Sequence, residues 1–438
     1  MNSILHGQNS SIRKISDSRS EQKAAYRFLN NEMVTEQELI ESCYERSSCI
    51  CEGRHVLVLN DTTEINLNSH AGRIKAESGV GLVGNNKDIG FFAHLGLVVD
   101  IEQYQAIGFS SMQFWHRSTD KRTKDERKYA QLPVEEKESY KWLNCVNNSV
   151  DTLTNAASIT VVGDRESDMY ELFTDAKTRG VHVLARSRIN RRTLDGISIE
   201  QALENTPQSG TFEIEIIGDK RKATSTRVAK MAVKFCEVNI KKPAKKKDTR
   251  PEQTNVWLVE AMELSGEKGI HWKLLTTHEI TSYEDALELI EWYKMRWFIE
   301  QVFRLLKNKG FQIEDSQLEQ GWALRKLTVL MLQNILRIMQ MLIAYNSPEE
   351  QDASIAFSQS ELECLDKLNK RYEGKTEKLK NSYNKNSMKW VTWIIARLGG
   401  WSGYTSQRPP GPITLKNGLD RFNHVYTGWM IAKDVGTQ

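Results

Sequence analysis

The sequence predicts a mixed α/β fold: a mixed sheet with helices on both faces, a β-strand insertion and an all-α C-terminal region. Three observations carry that prediction. Between residues 51 and 192, short apolar runs bounded by turn residues alternate with amphipathic helices; crossovers of that kind require parallel pairing for the later strands. Residues 193–270 instead alternate apolar and polar side chains, as half-exposed antiparallel strands do. Beyond Gly310 helical periodicity takes over.

A chain of 438 residues is long enough for several domains and a sizeable core. The pattern divides it into a helical region at 1–50, a first core segment at 51–192, the insertion at 193–270, a second core segment at 271–345 and a helical region at 346–438. Lys and Arg number 60 against 57 Asp and Glu, a formal charge of +3, so any nucleic-acid-binding surface must be local. The six cysteines are scattered, and only Cys49 and Cys51 are close-spaced. They read as reduced thiols of a cytoplasmic protein, with neither a zinc site nor a disulfide framework. A polar, charged start without an apolar run predicts no signal peptide. The longest apolar segment, Leu327 to Tyr345, contains Gln333, Arg337 and Gln340. That predicts a core helix and no membrane partner.

Taken in order, residues 1–50 hold two helices, one around Ala24, Ala25, Phe28 and Leu29 and one over VTEQELIESCYERS. They either offer Arg13, Lys14, Arg19, Lys23 and Arg27 to phosphates or pack on the next domain. Val56 to Leu59 reads as a central strand with Asp61 at its C-terminal end. The glycine-rich stretch 78–90 is a hairpin or loop; it lacks the GK[ST] ending of a phosphate-binding loop. FFAHLGLVVD and QAIGFSSMQFWHR are two further strands, with His94 a core histidine. A charged loop, Ser118 to Glu136, leads into the helix SYKWLNCVNNSVDTL. Ile159 to Val162 is a buried strand ending at Gly163 and Asp164, followed by a helix closed at Gly180. The strand VHVLARSR then runs into a basic patch of Arg186, Arg188, Arg191 and Arg192. In the insertion, KKPAKKKDTR is a basic hairpin tip, either a solvated turn or a phosphate contact. HWKLLTT returns the chain to the core. The remaining helices are Leu324–Tyr345, the lysine-rich Leu362–Lys389, WVTWIIARLGGW and, after the rigid linker RPPGP, LDRFNHVYTGWMIAKD.

The most informative stretch is YKMRWFIEQVFRLLK, Tyr293 to Lys307. It reads as one helix, capped by Ser282 with Asp285 and stopped by Gly310. At about 100° per residue, Tyr293, Arg296, Glu300, Arg304 and Lys307 share a stripe roughly 80° wide, opposite the apolar Met295, Ile299, Val302 and Leu306. A carboxylate in a column of cations suits a group that holds a metal while its neighbours hold phosphates. The same stripe also reads as a solvated face with one i,i+4 pair.

The spacing Tyr293, Arg296, Glu300, Lys307 resembles the YREK signature of bacterial insertion-sequence transposases, the insertion-sequence-four family. The DTT after Asn60, the DRE at Asp164–Glu166, and the IARLGG and AKD stretches are similar to that family as well. The resemblance implies an RNase H-like fold whose first and fourth strands lie side by side, and a DDE triad of Asp61, Asp164 and Glu300. It implies two Mg²⁺ ions held by those carboxylates, with Mn²⁺ as a substitute. The implied chemistry is cut-and-paste: hydrolysis at the transposon ends, a hairpin intermediate, and transfer of 3′ ends into target DNA.

Double-stranded DNA, both transposon ends and target, is the implied partner. Tyr293, Arg296, Arg304, Lys307 and Arg186 would contact it, and Trp272 would stack a flipped base or else simply pack at the start of a core strand. Glu166 and Asp168 read as a helix N-terminal acid and as a support for the ligands. A homodimer is expected through the apolar C-terminal helices, Trp390–Leu398 and Leu419–Ile431. Only 60 residues precede Asp61, fewer than the family pattern, so either the protein starts internally or its end recognition is reduced. Two other readings stay open: a non-catalytic relative that dimerises with and blocks a full-length enzyme, and an RNase H-like nuclease without strand transfer.

Overall fold

The computed structural model describes residues 9–75, 77–118, 132–216, 225–244, 248–264, 269–307, 310–404 and 408–435. In chain order the first elements are α1 (Ile12–Ile15), α2 (Arg19–Asn30), α3 (Glu36–Ile50), β1 (His55–Asn66), β2 (Gly81–Leu82), β3 (Ile89–Asp100) and β4 (Gln105–Trp115). Next come α4 (Tyr140–Thr152), β5 (Ser158–Gly163), α5 (Tyr170–Thr178), β6 (His182–Arg186), α6 (Ile199–Glu204) and β7 (Gly210–Ile216). Then follow β8 (Arg227–Lys241), β9 (Gln253–Glu263), β10 (His271–Thr276), α7 (Tyr283–Met295) and α8 (Trp297–Leu306). The last four are α9 (Gly321–Asn346), α10 (Gln359–Tyr372), α11 (Met388–Leu398) and α12 (Pro412–Val435). The fold is thus mixed α/β, and it divides into two compact units. Most of the charged loop predicted at 118–136, and the centre of the basic tip at 245–247, lie outside the described residues.

One unit comprises Glu52–Asp61 and Lys121–Trp297. Among the described residues its strands run β1-β5-β6-β10-β9-β8-β7. The β1-β5-β6 part is parallel and the β10-β9-β8-β7 part antiparallel, as the two sequence patterns require. Val56 to Leu59 are fully buried, which is why that run has no polar alternation. The basic tip is partly structural: the Lys242 amine donates to the carbonyls of Asp248 (2.6 Å) and Arg250 (2.9 Å), and Arg250 forks onto Asp175 at 2.6 and 2.7 Å. Those two cations hold the hairpin closed instead of facing a ligand. The short helix α6, capped by a Ser198/Gln201 box, was not legible from periodicity.

The foot of the parallel strands is aromatic. The Thr160 hydroxyl lies 3.1 Å from His55 Nε2 and 2.8 Å from His278 Nε2. His182 stacks on His278 at 3.8 Å between centroids, and Trp292 meets both His55 and His278 edge-on. Burial, then the neighbouring imidazoles of His182 and His55, push His278 down to about 3.

The other unit comprises Met1–Cys51, Thr62–Asp120 and Phe298–Gln438. Here β3 pairs antiparallel with β2 and β4, confirming a hairpin after residue 78. His94 is buried and its Nδ1 sits 2.9 Å from the Thr62 hydroxyl, a core histidine as expected. Helix α9 packs on α3, β4, α11 and α12. It is long and apolar enough to cross a membrane, yet 89% of its most apolar window is buried inside the protein. Its cations are tied to the N-terminal helices: Arg325 forks onto Glu36 at 2.5 and 2.6 Å, and Lys326 donates to the carbonyls of Leu29 and Asn31 at the end of α2.

Two expectations for the C-terminal region are corrected. The lysine-rich segment is helical only to Tyr372; residues 373–387 are turns and one 3-10 turn. The apolar face of α11 does not await a partner. Trp390, Val391, Trp393, Ile394, Ile395 and Leu398 are buried against α9, α10 and α12 of the same unit. On α12, Leu419 and Phe422 are buried, whereas Val425, Ile431 and Val435 are exposed.

Candidate active site

The two predicted aspartates lie just past one parallel ladder. Strand β1 pairs in parallel with β5, from His55 opposite Ser158 to Leu59 opposite Val162. Asp61 and Asp164 each follow two residues beyond that last pair. Neighbouring strands lie about 5 Å apart, and residues in register on them point to one face. Asp61 does not end its strand, as the sequence suggested. β1 continues to Asn66, and what ends near Asp61 is the ladder with β5.

Asp164 is held by the turn that follows. Its backbone is still extended, and its carboxylate accepts the Glu166 amide at 2.7 Å, while its carbonyl accepts the Ser167 hydroxyl at 2.6 Å. Gly163 permits that turn: a Cβ there would meet Ser167 Oγ at 2.4 Å and the Trp142 ring at 3.2 Å. Glu166 is exposed and pairs with Lys141 at 3.2 Å. Asp168 is buried, and one oxygen accepts the Arg188 and Ile189 amides at 2.7 and 2.9 Å. Its other oxygen pairs with Arg191, whose guanidinium also reaches the Asp168 carbonyl at 2.8 Å. Arg191 is therefore removed from the predicted basic patch. It is buried and holds the segment after β6 against the Asp164 turn, leaving Arg188 and Arg192 exposed.

A chain of contacts leads from Asp61 to four other predicted residues in the same unit. Arg296 Nη1 lies 3.1 Å from Asp61 Oδ2, with the two side chains 17% and 22% exposed. The Arg296 guanidinium sits 6.0 Å from the Tyr293 ring centroid, and Tyr293 meets Trp272 edge-on at 6.1 Å. Trp272 is the second residue of β10, and Arg186 at the end of the adjacent β6 donates to the carbonyl of His271 at 3.1 Å. Five sequence-predicted residues (Asp61, Arg296, Tyr293, Trp272 and Arg186) thus follow one another along the strand ends.

The single helix expected across the YREK spacing is two. α7 begins at the predicted Ser282/Asp285 capping box and ends at Met295; α8 begins at Trp297. The Arg296 amide bonds back to the Tyr293 carbonyl at 3.1 Å, an i−3 contact that tightens the turn. The boundary between the two units falls immediately afterwards, so Glu300, Arg304 and Lys307 belong to the other unit. There Glu300 and Arg304 are exposed. Lys307 donates to the Glu64 carbonyl at 2.7 Å and lies 3.4 Å from the Glu314 carboxylate, so it braces its own unit. Gly310 closes α8 as expected: a Cβ would fall 1.7 Å from the Leu305 carbonyl oxygen. Trp297, 49% exposed at the helix break, was not singled out by its spacing.

The donor chemistry fits a hard divalent cation. Asp61 and Asp164 supply carboxylate oxygens from adjacent strands, and Mg²⁺ is commonly bound by one or two carboxylates, with water and substrate phosphate completing its shell. Among the described residues no group of three or more His, Cys, Asp or Glu is placed to hold a metal ion.

Residues 144–335 match the family model described as "Transposase DDE domain". A solved structure described as the piggyBac transposase synaptic complex with hairpin DNA is similar over 78% of this chain, at 8% identity and a TM-score of 0.35. The match spans 64% of the length of that chain. The segment that includes Asp164, Arg186, Trp272 and Glu300 is therefore similar to the DDE domain of transposases, and Asp61 lies outside it on β1, which pairs with β5 of that segment.

Proposed function

We propose that this chain is a metal-dependent DDE transposase of the insertion-sequence-four (YREK) type, acting in the cytoplasm. It would hydrolyse phosphodiesters at transposon ends and transfer the 3′ ends into target DNA. What supports this most is that Asp61 and Asp164 each lie two residues beyond the last pair of one parallel ladder, Leu59 and Val162, in a chain whose residues 144–335 match a transposase DDE domain. Asp61 and Asp164 would hold Mg²⁺ ions, or Mn²⁺ in their place, with Glu300 as the third carboxylate on an RNase H-like core. Bound there, a pair of divalent ions supplies an activated oxygen nucleophile and neutralises the leaving oxygen.

The remaining assignments concern the DNA. Arg296 and Lys307 would clamp backbone phosphates, joined by the exposed Arg304 and by Arg186. Tyr293 would donate its hydroxyl to a phosphate oxygen. Trp272 would give an extruded base a stacking surface. Dimerisation rests on the outer part of α12, where Val425, Ile431 and Val435 are exposed, because α11 is already covered.

The test uses linear DNA carrying the inverted repeats that flank the coding sequence. Purified protein with Mg²⁺ should cut at the repeats and join the 3′ ends to a target plasmid, and Asp164→Asn should abolish both. Cutting without joining would favour a nuclease. Intact DNA with stable dimers would favour a non-catalytic partner of a full-length enzyme.

A further inference from the structure

The Asp61–Arg296 pair couples DNA to metal, and this inference rests on the reading of Asp61 as a metal ligand. Arg296 Nη1 donates to Asp61 Oδ2 at 3.1 Å, and both side chains are largely withdrawn from water. A guanidinium bonded to that oxygen directs positive charge at the face of the carboxylate a divalent cation needs, and in a partly buried site that repulsion is weakly screened. Arg296 is also placed to choose another anion. It sits at the break between α7 and α8, flanked by the Tyr293 ring and the half-exposed Trp297. A DNA phosphate offers the same fork geometry as a carboxylate with more acceptor oxygens.

We propose that Arg296 is a resident counter-ion for Asp61, and that a DNA phosphate must draw it away before the carboxylate can take up a divalent ion. DNA and metal then bind with positive coupling. In the absence of DNA the arginine keeps Asp61 from gathering ions. By linkage, metal tightens DNA through this pair by the same factor that DNA tightens metal.

The distinguishing measurement is Mn²⁺ binding, read from the electron paramagnetic resonance of the free ion, with full-length protein alone and with a blunt DNA duplex of unrelated sequence. For the wild type, duplex should raise Mn²⁺ affinity. Without DNA, Arg296→Gln should bind Mn²⁺ about tenfold more tightly than wild type, within the range of ordinary coupling, while binding duplex more weakly. Arg296→Lys, which keeps the charge, should stay close to wild type. If Arg296→Gln does not fold, Arg296→Met carries the same expectation. Mn²⁺ binding that Asp61→Asn removes but that Arg296→Gln and Arg296→Met leave at the wild-type value would overturn the coupling alone. Binding that Asp61→Asn leaves intact would overturn the metal assignment itself.

Discussion

The three parallel strands β1, β5 and β6 end in opposite kinds of chemistry. At the C-terminal end of their ladder lie Asp61 and Asp164, both partly exposed, and Asp61 pairs with Arg296 at the break between α7 and α8. At their N-terminal ends stand His55, His182 and His278, gathered around one threonine hydroxyl and one indole. Both ends concentrate titratable groups, yet they are packed differently. At the foot, burial lowers the pKa of His278 and of His182, and the cluster contributes packing. The head is left partly open to water beside Arg296, where an ion or a phosphate can approach. The difference separates a structural cluster from a functional one where residue type alone would have favoured the histidines.

The comparison is broken most directly at the head. Asp164→Asn changes one atom, so DNA cleavage should fall roughly a thousandfold or more, with the thermal midpoint nearly unchanged. A large loss of stability would mean that Asp164 is structural. Asp168 is the opposite case. Removing it strands Arg191 and two amides in the interior, so Asp168→Ala should cost about 3–5 kcal/mol in urea unfolding. A cost below about 1 kcal/mol would contradict the buried pair.

At the foot, the folded pKa of His278 lies below its ordinary value. The unfolded chain therefore binds the extra proton, and stability is complete above about pH 6.5. It should fall by on the order of 1 kcal/mol per pH unit as pH drops toward the folded pKa. Lowered in the same direction, His182 adds to the slope, with Lys177 also facing it. His278→Gln should flatten the curve between pH 6 and 4, read by urea unfolding at each pH. An unchanged slope would place the acid sensitivity elsewhere. The smallest expected effect is at Gly163→Ala. The new methyl collides with Ser167, costing about 1–3 kcal/mol and slowing cleavage by displacing Asp164. Pairing it with Ser167→Gly should restore most of the loss, and a double variant no better than the single would refute that collision.

Much of the catalytic unit was legible in the sequence, and the reasons are physical. Val56–Leu59 is an uninterrupted apolar run, and Ile159–Val162 is broken only by Thr160, because their strands are buried on both faces. Ser282 and Asp285 announce a helix start because capping needs that pair at that spacing. Arg191 was misread because a buried arginine and an exposed one look alike beside each other. Its partner, Asp168, is 23 positions away. The helix break at Arg296 left no signal, since it contains no proline or glycine and retains helical dihedrals. α11 was expected to seek a partner molecule because its covering surfaces, α9 and α12, are written elsewhere in the chain.

That Asp61 and Asp164 hold divalent ions is tested most directly by loading the DNA-bound protein with Fe²⁺, generating hydroxyl radicals with ascorbate and peroxide, and mapping the backbone cuts. Cleavage is expected next to Asp61 and Asp164, suppressed by excess Mg²⁺ and lost in Asp61→Asn. Cuts confined to segments remote from Asp61 and Asp164 would contradict it.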